Sequence, residues 1–299
     1  MFTKAIVRPP AANFVDALTT QQLGAPDYQR ALRQHAAYCE ALTACGLTLT
    51  RLKADGNFPD ATFVEDTAVI VDCIQSALEQ ATQKPARKQG LNRYQSPDEK
   101  RNRTLPDGEA TCPTASVALL TRPGASSRTG EVAGVADALA QFFPQLASIH
   151  APGKLDGGDV CEAGEHFFIG ISARTNRAGA EQLAAWLAAC GYTASFIDIS
   201  GIPNLLHLKS GLTYLGDHRL VVIDSLADQA DFTGYKLVRV NAREQYAANC
   251  VRVNDRVLVA AGYPIFAQTL RGLGYETIAL RMTEFEKMDG GLSCLSLRF

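Results

Sequence analysis

Residues 159–170 read DVCEAGEHFFIG, residues 212–222 read LTYLGDHRLVV, and residues 250–260 read CVRVNDRVLVA. Each stretch begins with a short strand pattern, continues through a tight polar turn and ends in a second, apolar strand pattern. The three stretches begin 53 and 38 residues apart. A hairpin that recurs at this spacing together with helical segments predicts several similar supersecondary units around one axis, rather than a single doubly wound sheet.

The segments around these hairpins fit the same α/β architecture. Leu32, Ala36, Cys39 and Leu42 are three or four residues apart and Gly46 follows, so residues 27–45 are predicted to form an amphipathic helix. Further helices are predicted at about 130–143, 176–190 and 264–273, and strands at 47–52, 67–71, 117–121, 166–171, 219–224 and 256–260. We expect a single domain over residues 1–299, with a polar insertion at about 74–116 that is rich in Lys, Arg, Pro and Gln.

The composition favours a globular protein with a small-molecule task. The 299 residues are 46% hydrophobic and 20% charged, which argues against disorder and against a small disulfide-stapled module. A net charge of −2 gives no electrostatic footprint for nucleic acid or for a polybasic membrane anchor. No apolar run is long enough for a bilayer span, and Lys4, Arg8, Pro9 and Pro10 lie where a signal peptide needs apolar residues. We therefore expect a cytoplasmic protein with no membrane or nucleic-acid partner.

The eight cysteines show neither a C-x-x-C motif nor zinc-finger spacing. Neither a disulfide framework nor a structural metal site is predicted. Each cysteine is by default a reduced, inert thiol, so a reactive one has to be identified on other grounds.

Four local motifs combine reactive side chains with turn residues. Residues 58–66 (FPDATFVED) hold three carboxylates, residues 155–159 (LDGGD) hold paired glycines between acids, residues 205–209 (LLHLK) place His207 between leucines, and residues 289–296 (DGGLSCLS) place Cys294 after a glycine pair. Alone, each motif also fits an ordinary structural role: solvated acids at a strand start, a tight turn, a core histidine and an unreactive thiol. No dinucleotide-binding glycine motif, Walker loop or nucleophile elbow competes with them.

In this order, FVED, DGGD, LHLK and DGGLSC resemble the motifs of the dimethylarginine dimethylaminohydrolases, enzymes of the guanidino-group-modifying (pentein) superfamily. The resemblance covers residues 2–299 and includes TRPGASSR at 121–128, SARTN at 172–176 and YAANC at 246–250. It implies a single-domain α/β fold, a five-bladed propeller of repeated ββαβ-like units with the site in its central channel. It also implies hydrolysis of Nω-methylated arginine to citrulline and a methylamine, without a cofactor.

The resemblance also implies a role for each motif residue. Cys294 corresponds to the nucleophile of the family, His207 to its general acid/base, and Asp156 to the acid that orients the histidine. The ligand contacts of the family correspond to Leu18 (through its backbone), Asp60, Glu65, Asp66, Arg128, Arg174, Met288 and Asp289.

These residue types suit a guanidinium substrate. A guanidinium is a resonance-stabilised cation and a poor electrophile, so acids such as Asp66 and Asp156 are needed to bind and polarise it in a dry pocket. A thiolate attacks the central carbon, a cationic histidine protonates the departing amine, and the neutral histidine then activates the water that cleaves the thiouronium. The planar guanidinium groups of Arg128 and Arg174 suit the α-carboxylate of the substrate, and the Asp60 carboxylate suits its ammonium group.

Two changes on substrate binding are expected. The carboxylates around Cys294 predict a largely neutral resting thiol that ionises as the cationic substrate enters. The irregular segment at 9–26 is predicted to be either a lid that closes over the substrate or a static N-terminal crossing.

Two features depart from the family pattern. Asp156 stands where bacterial relatives often have Glu, so a carboxylate one methylene shorter has to orient His207. Residues 74–116 have no recognised counterpart in the family and fall between Asp66 and Arg128 in the sequence.

Other functions remain as alternatives. Arginine deiminase shares the chemistry, but its histidine motif continues H-L-D-T where this chain has HLKS, and its cysteine usually follows His where this chain has Ser293. A non-catalytic arginine- or citrulline-binding protein would not need His207, Cys294 and the acids together. A metal bound by Cys294 and His207 would inhibit, because the mechanism requires none. The oligomeric state stays open, with a homodimer as one option.

Overall fold

Fifteen short strands form five separate sheets in the parts of the chain that the structure, a computed structural model, describes: residues 1–73 and 116–299. In each sheet an edge strand pairs antiparallel with the central strand, which pairs parallel with the other edge strand. The strands are β1 (Lys4–Val7), β2 (Thr48–Arg51), β3 (Ala68–Asp72), β4 (Ser116–Leu120), β5 (Leu146–Ser148), β6 (Val160–Glu162), β7 (His166–Ile171), β8 (Thr193–Asp198), β9 (Leu212–Tyr214), β10 (Arg219–Ile223), β11 (Lys236–Val240), β12 (Val251–Val253), β13 (Arg256–Ala260), β14 (Glu276–Leu280) and β15 (Ser296–Arg298). The helices are α1 (Tyr28–Ala44), α2 (Glu131–Leu139), α3 (Arg177–Ala189), α4 (Pro264–Gly272) and α5 (Thr283–Glu286).

The three repeated stretches of the sequence form the β6–β7, β9–β10 and β12–β13 hairpins, as predicted. In the β9–β10 turn Gly216, Asp217 and His218 have φ angles of 82°, 51° and 56°. The tight turns that match the twist of paired strands need such positive φ angles, and Gly, Asn and Asp adopt them most readily. Asn254, with φ at 57°, serves the β12–β13 turn in the same way.

The predicted helices form and pack against the sheets. Helix α1 begins where the Asp27 side chain accepts a hydrogen bond from the Arg30 backbone at 2.8 Å, and its end is followed by Gly46 with φ at 92°. Helix α3 begins similarly, with Asn176 accepting from the Gly179 backbone at 2.9 Å. Helix α1 packs against β2 and β14, α3 against β7 and β8, and α4 against β14.

The last strand completes the first sheet. Strand β15 pairs antiparallel with β1, so that Leu297 lies opposite Ile6, and both side chains are buried in one apolar cluster. The other four sheets take their strands in sequence order. The result is the single-domain, five-bladed α/β propeller that the family resemblance implies.

The centre of the ring is lined by the antiparallel edge strands β3, β6, β9, β12 and β15, with β3 packed against β15 and β6 against β9. Just before each of these strands, the chain turns inward from the preceding blade. Four of these approaches end in 3₁₀ turns, at Val64–Thr67, Gly157–Asp159, Leu208–Ser210 and Ser293–Leu295. The four sequence motifs therefore lie around one axis.

Two details differ from the expected repeat. Blade four has no α-helix between β10 and β11; the 3₁₀ turns Asp224–Leu226 and Ala230–Phe232 replace it, because this connection is short and ends at Gly234 with φ at 98°. The polar insertion expected at about 74–116 lies outside the described residues except for Ser116, which begins β4. Strands β3 and β4 pair on either side of it, with Asp72 opposite Ser116. In the described parts of the chain, no helix has the length and apolar character needed to cross a bilayer.

The packing of α4 gives a test of the fold. Leu270 is fully buried between blades four and five, whereas Leu273, just beyond the helix, is 40% exposed. Leu270→Ala should lower the free energy of unfolding in urea by about 2–5 kcal/mol, because it leaves a cavity. The matched Leu273→Ala should change it by no more than about 0.5 kcal/mol. Equal losses in the two variants would contradict this packing.

Candidate active site

The four motif turns are in contact with one another at the centre of the ring. The turn Ser293–Leu295, which carries Cys294, packs against Val64–Thr67, which carries the acid pair. The turn Val64–Thr67 packs against Gly157–Asp159, and this turn packs against Leu208–Ser210, which follows His207. Residues more than 200 positions apart in sequence thus meet in one site.

His207 lies in contact with Asp156, the acid that the family resemblance predicts to orient it. The His207 Nε2 atom lies 3.0 Å from Asp156 Oδ2. The other carboxylate oxygen accepts from the Gly124 backbone at 2.7 Å, and the Asp156 backbone donates to Thr175 Oγ1 at 3.1 Å. Asp156 is fully buried, so these contacts hold its short side chain within reach of the imidazole. The Asp156 side chain, one methylene shorter than that of Glu, therefore still reaches His207.

Gly158 explains the glycine pair between the acids. A Cβ at this position would lie 2.7 Å from His207 Nδ1 and 2.9 Å from Asp66 Oδ1. The Gly158 backbone also donates to Asp66 Oδ1 at 2.8 Å. Only glycine lets the backbone approach the imidazole and the carboxylate this closely.

Asp159, the second acid of the motif, fixes the histidine loop rather than the histidine itself. Its Oδ1 accepts from the Leu208 backbone at 2.9 Å, and its Oδ2 accepts from Ser172 Oγ at 2.7 Å. It is fully buried. The sequence analysis assigned no role to Asp159, although its place in the DGGD motif was a signal.

Charge–charge interactions keep His207 cationic in this site. Burial lowers the pKa of His207, but the carboxylates of Asp66, Asp156 and Asp159 outweigh it and raise the pKa to about 9. Burial likewise raises the pKa of Asp66, but the charges of His207 and Arg128 and the Gly158 hydrogen bond lower it to about 2. At neutral pH the imidazolium therefore lies among carboxylates.

Cys294 is shielded from solvent and held as a neutral thiol. Cys294 is only 8% exposed, and the Gly291 N–H donates a hydrogen bond to its Sγ atom at 3.4 Å. Burial and the charges of Glu65 and Asp66 raise the pKa of Cys294 to about 12, against the opposing effects of Gly291 and Lys209. The Asp66 charge contributes to the raised pKa of both Cys294 and His207, and the turn that carries Asp66 packs against Ser293–Leu295 and against Gly157–Asp159.

Glu65 is tied to protein groups through both oxygens. Its Oε1 lies 2.6 Å from Lys209 Nζ and 3.4 Å from Arg298 Nη2, and its Oε2 accepts from Ser293 Oγ at 2.7 Å. A cavity of about 480 Å³ reaches Glu65, Lys209 and Ser293, but neither His207 nor Cys294 lines it. Glu65 thus acts on the thiol through its charge and through Ser293.

The predicted carboxylate-binding arginines lie in different environments. Arg128 is buried, and all three of its guanidinium nitrogens donate to the protein; the closest acceptors are Asp66 Oδ2 at 2.6 Å and Glu131 Oε2 at 2.8 Å. Burial, with the charges of Asp60 and Asp66, raises the pKa of Glu131 to about 7. Arg174 has a buried Nη1 atom with no hydrogen-bond partner among residues 1–73 and 116–299. Its charge opposes the burial that raises the pKa of Asp60.

The N-terminal segment at 9–26 is held against the site at two points. The Leu18 N–H donates to both oxygens of Asp60, at 3.2 and 3.3 Å. Asp289 accepts from the backbone and hydroxyl of Thr20, at 2.5 and 3.0 Å, and from the Gln21 side chain at 2.6 Å. These contacts fit a closed lid, which stays a prediction. Met288, the remaining predicted contact residue, is buried in the apolar cluster that also contains Cys294.

Asp66, Asp156 and His207 are also the one group of side chains in the described residues placed to share a metal ion. Their ligand atoms all lie within 4.8 Å of one another. A histidine binds metal only as the neutral imidazole, and the raised pKa of His207 opposes that form. Metal-free chemistry stays the prediction for this site.

Full-length relatives are known, although no family model matches the chain. The chain is 36% identical over 300 residues to the N(G),N(G)-dimethylarginine dimethylaminohydrolase of Pseudomonas aeruginosa, with 100% of both chains covered. It is 32% identical over 297 residues to the Streptomyces coelicolor protein of the same name, covering 99% of this chain and 96% of the relative. The chain belongs to the dimethylarginine dimethylaminohydrolase family.

Solved structures agree with this family assignment. A cysteine-to-serine mutant of the Pseudomonas aeruginosa enzyme, complexed with citrulline, matches all of both chains with a TM-score of 0.82. The N-terminal domain of ArgZ, an arginine dihydrolase, matches with a TM-score of 0.76 at 17% identity, which shows a shared fold. A dimethylarginine dimethylaminohydrolase is a hydrolase with the propeller fold described above.

In this member of the family, the sequence analysis missed residues that hold the predicted ones. Glu131 shares Arg128 with Asp66, and the three-residue spacing from Arg128 to Glu131 was a local signal for it. Lys209 pairs with Glu65, and no local sequence pattern indicated that pairing.

The resting state of Cys294 can be tested by titrating its ultraviolet thiolate absorbance. In the ligand-free protein the thiol should be neutral at pH 7, because burial and the carboxylates raise its pKa to about 12. Ethylguanidinium should increase the thiolate signal because its charge opposes those carboxylates, whereas uncharged ethylurea should not. Cys294→Ser provides the background. A thiol already ionised at neutral pH without ligand would refute this account.

Proposed function

We propose that this chain hydrolyses Nω-methylated arginines, asymmetric dimethylarginine and monomethylarginine, to citrulline and dimethylamine or methylamine. The observation that carries the proposal is that the turn holding Cys294 packs against the turn holding Asp66, while polar side-chain atoms of Asp66, Asp156 and His207 lie within 4.8 Å of one another. The names of the full-length relatives and the citrulline bound to one of them support it.

The substrate guanidinium binds beside Asp66 in this mechanism. Its charge offsets the carboxylates that keep Cys294 protonated, so the thiol loses its proton to solvent when substrate is bound. The Sγ atom attacks the guanidinium carbon, a C–S bond forms, and one C=N electron pair moves onto nitrogen.

His207 supplies and then recovers the proton. As the tetrahedral adduct collapses, the imidazolium protonates the methylated nitrogen, the C–N bond breaks, and the amine leaves a thiouronium on Cys294. The neutral imidazole then removes a proton from water as the water attacks the same carbon. Collapse of the second adduct breaks the C–S bond as its hydroxyl proton passes to solvent, releasing citrulline and the Cys294 thiolate. Asp156 fixes the imidazole throughout, because its contacts to Gly124 and Thr175 hold the carboxylate in place.

The amino-acid end of the substrate lies toward Asp60 and Arg174 in this proposal. Asp60 and the Leu18 backbone carbonyl accept from the ammonium, and the Arg174 guanidinium binds the carboxylate, consistent with its unpartnered Nη1. Arg128 reaches the same carboxylate only by loosening its contact with Asp66. Asp289 acts on this side through the N-terminal segment that it holds. A cytoplasmic location and a homodimer remain predictions.

Separate incubations with arginine, monomethylarginine and asymmetric dimethylarginine, each assayed for citrulline, test the reaction. We expect turnover of the methylated forms, and loss of more than about 10³-fold in kcat for Cys294→Ser, because the nucleophile is removed. Turnover of arginine alone would favour arginine deiminase. Ligand binding without citrulline would favour a non-catalytic binding protein.

Arg174 should determine affinity rather than chemistry. Arg174→Ala should raise KM about 10- to 100-fold, because it removes a charge-assisted hydrogen bond to the substrate, and should leave kcat within a few-fold. Arg177→Ala is the matched control, since Arg177 is exposed on α3 and pairs with Glu181. Unchanged KM in Arg174→Ala would remove this residue from the carboxylate site.

A further inference from the structure

Asn249 lies in the segment that leads into β12. Of the five segments that lead into the antiparallel edge strands, this is the one to which the mechanism gives no role. Three residues lie two positions before the antiparallel edge strand of their blade: Cys294 before β15, Asp66 before β3 and Asn249 before β12. Asp156 and His207 lie on the approaches to β6 and β9. The pseudo-fivefold arrangement therefore brings Asn249 to the same central region, where it is 5% exposed.

The Asn249 side chain binds both reactive loops at once. Its Nδ2 donates to the Lys209 backbone carbonyl at 2.9 Å and to Ser293 Oγ at 3.1 Å. Its Oδ1 accepts from the Ser293 backbone at 2.9 Å. Lys209 lies two residues after His207 and Ser293 directly precedes Cys294, so one amide joins the histidine loop to the cysteine loop.

Asn249 also limits where the thiol's hydrogen-bond donor lies. A Cβ at Gly291 would be 2.4 Å from Asn249 Oδ1, so the Gly291 backbone packs directly on the amide. The Gly291 N–H is the donor to Cys294 Sγ. Tyr246, in the same segment as Asn249, donates its hydroxyl to the Gly290 carbonyl at 2.8 Å and so holds the peptide group that contains the Gly291 N–H.

The backbone around Asn249 is itself fixed. Thr213 Oγ1 lies 2.8 Å from the Ala248 carbonyl oxygen and 3.2 Å from that of Cys250, on both sides of Asn249. Thr213 belongs to β9, the strand that follows the histidine loop. The amide is therefore held from the blade that carries His207 as well as from its own.

We propose that Asn249 is a positioning residue, whose amide sets the Cys294 thiol and its Gly291 donor relative to the His207 loop. It touches neither substrate nor reacting atoms. The proposal rests on the proposed function for its kinetic consequence. Loss of the amide leaves both reactive side chains in place but lets their loops shift, and a shift of about 1 Å between reacting groups costs about 10²-fold in rate.

The test compares Asn249→Ala and the equally sized Asn249→Asp, which lacks the Nδ2 donors, with Asn241→Ala. Asn241 is exposed at the start of the same 3₁₀ segment and serves as the matched control. In the Asn249 variants we expect kcat for monomethylarginine to fall about 10- to 100-fold with KM within a few-fold, because the residue positions the reacting groups and does not contact the substrate. The pH profile of Cys294 alkylation by iodoacetamide should shift to higher pH, since the Gly291 donor is no longer held. The control should match wild type in both measurements.

A double-mutant cycle separates positioning from general destabilisation. Asn249→Ala and Ser293→Ala break the same connection, so their effects on log(kcat/KM) should be less than additive, whereas those of Asn249→Ala and Arg174→Ala should add. A folded Asn249 variant with wild-type kcat and alkylation profile would overturn the proposal. Wild-type protein that turns over no methylarginine would instead defeat the proposed function, and the alkylation profile would still decide the role of Asn249.

Discussion

The buried charge of Asp66 is the constraint on which the site depends. It stabilises the protonated form of His207, which the chemistry needs as a proton donor, and it stabilises the protonated form of Cys294, which the chemistry cannot use. In the proposed mechanism, a site with this charge becomes competent only when a further cation enters. Recognition and activation of the nucleophile are therefore one electrostatic event, and an uncharged amide of similar shape gains little from it.

Such a charge needs support, because burying a carboxylate without partners is costly. Asp66 is held by the Arg128 guanidinium and by the Gly158 backbone, and Glu131 in turn holds Arg128. Arg128 and Glu131 lie between β4 and β5 on the same blade as Asp66, whereas Gly158 lies on the approach to β6, so the Gly158 contact links Asp66 to the next blade. The propeller supplies each reactive group from a separate blade, and hydrogen bonds between approaches make them a single unit.

The sequence predicted those parts of the fold that are local. Strands at 166–171 and 256–260 agree with β7 and β13, because alternation and a polar turn are encoded within a dozen residues. The second blade was not recognised as a hairpin, since residues 74–115 separate β3 from β4. Nor did any local pattern indicate that β15 pairs with β1. No helix was predicted between residues 224 and 236, and blade four has 3₁₀ turns there in place of the helix that the repeat would supply.

The same division holds for the site. Cys294, His207 and Asp156 were identifiable because each lies in a short motif with turn residues around it. Asn249 was not, because its contacts are to residues 40 and 44 positions away in the sequence. Arg128 looked like a ligand-binding arginine, and only the tertiary structure shows its nitrogens already paired with Asp66 and Glu131.

Ring closure by the last strand has a consequence for how competence arises during folding. Cys294 lies immediately before β15, which belongs to the first blade although it is formed by the final part of the sequence. The acids and the imidazole lie on the approaches to β3, β6 and β9, so the nucleophile joins them only when β15 pairs with β1 and the ring closes.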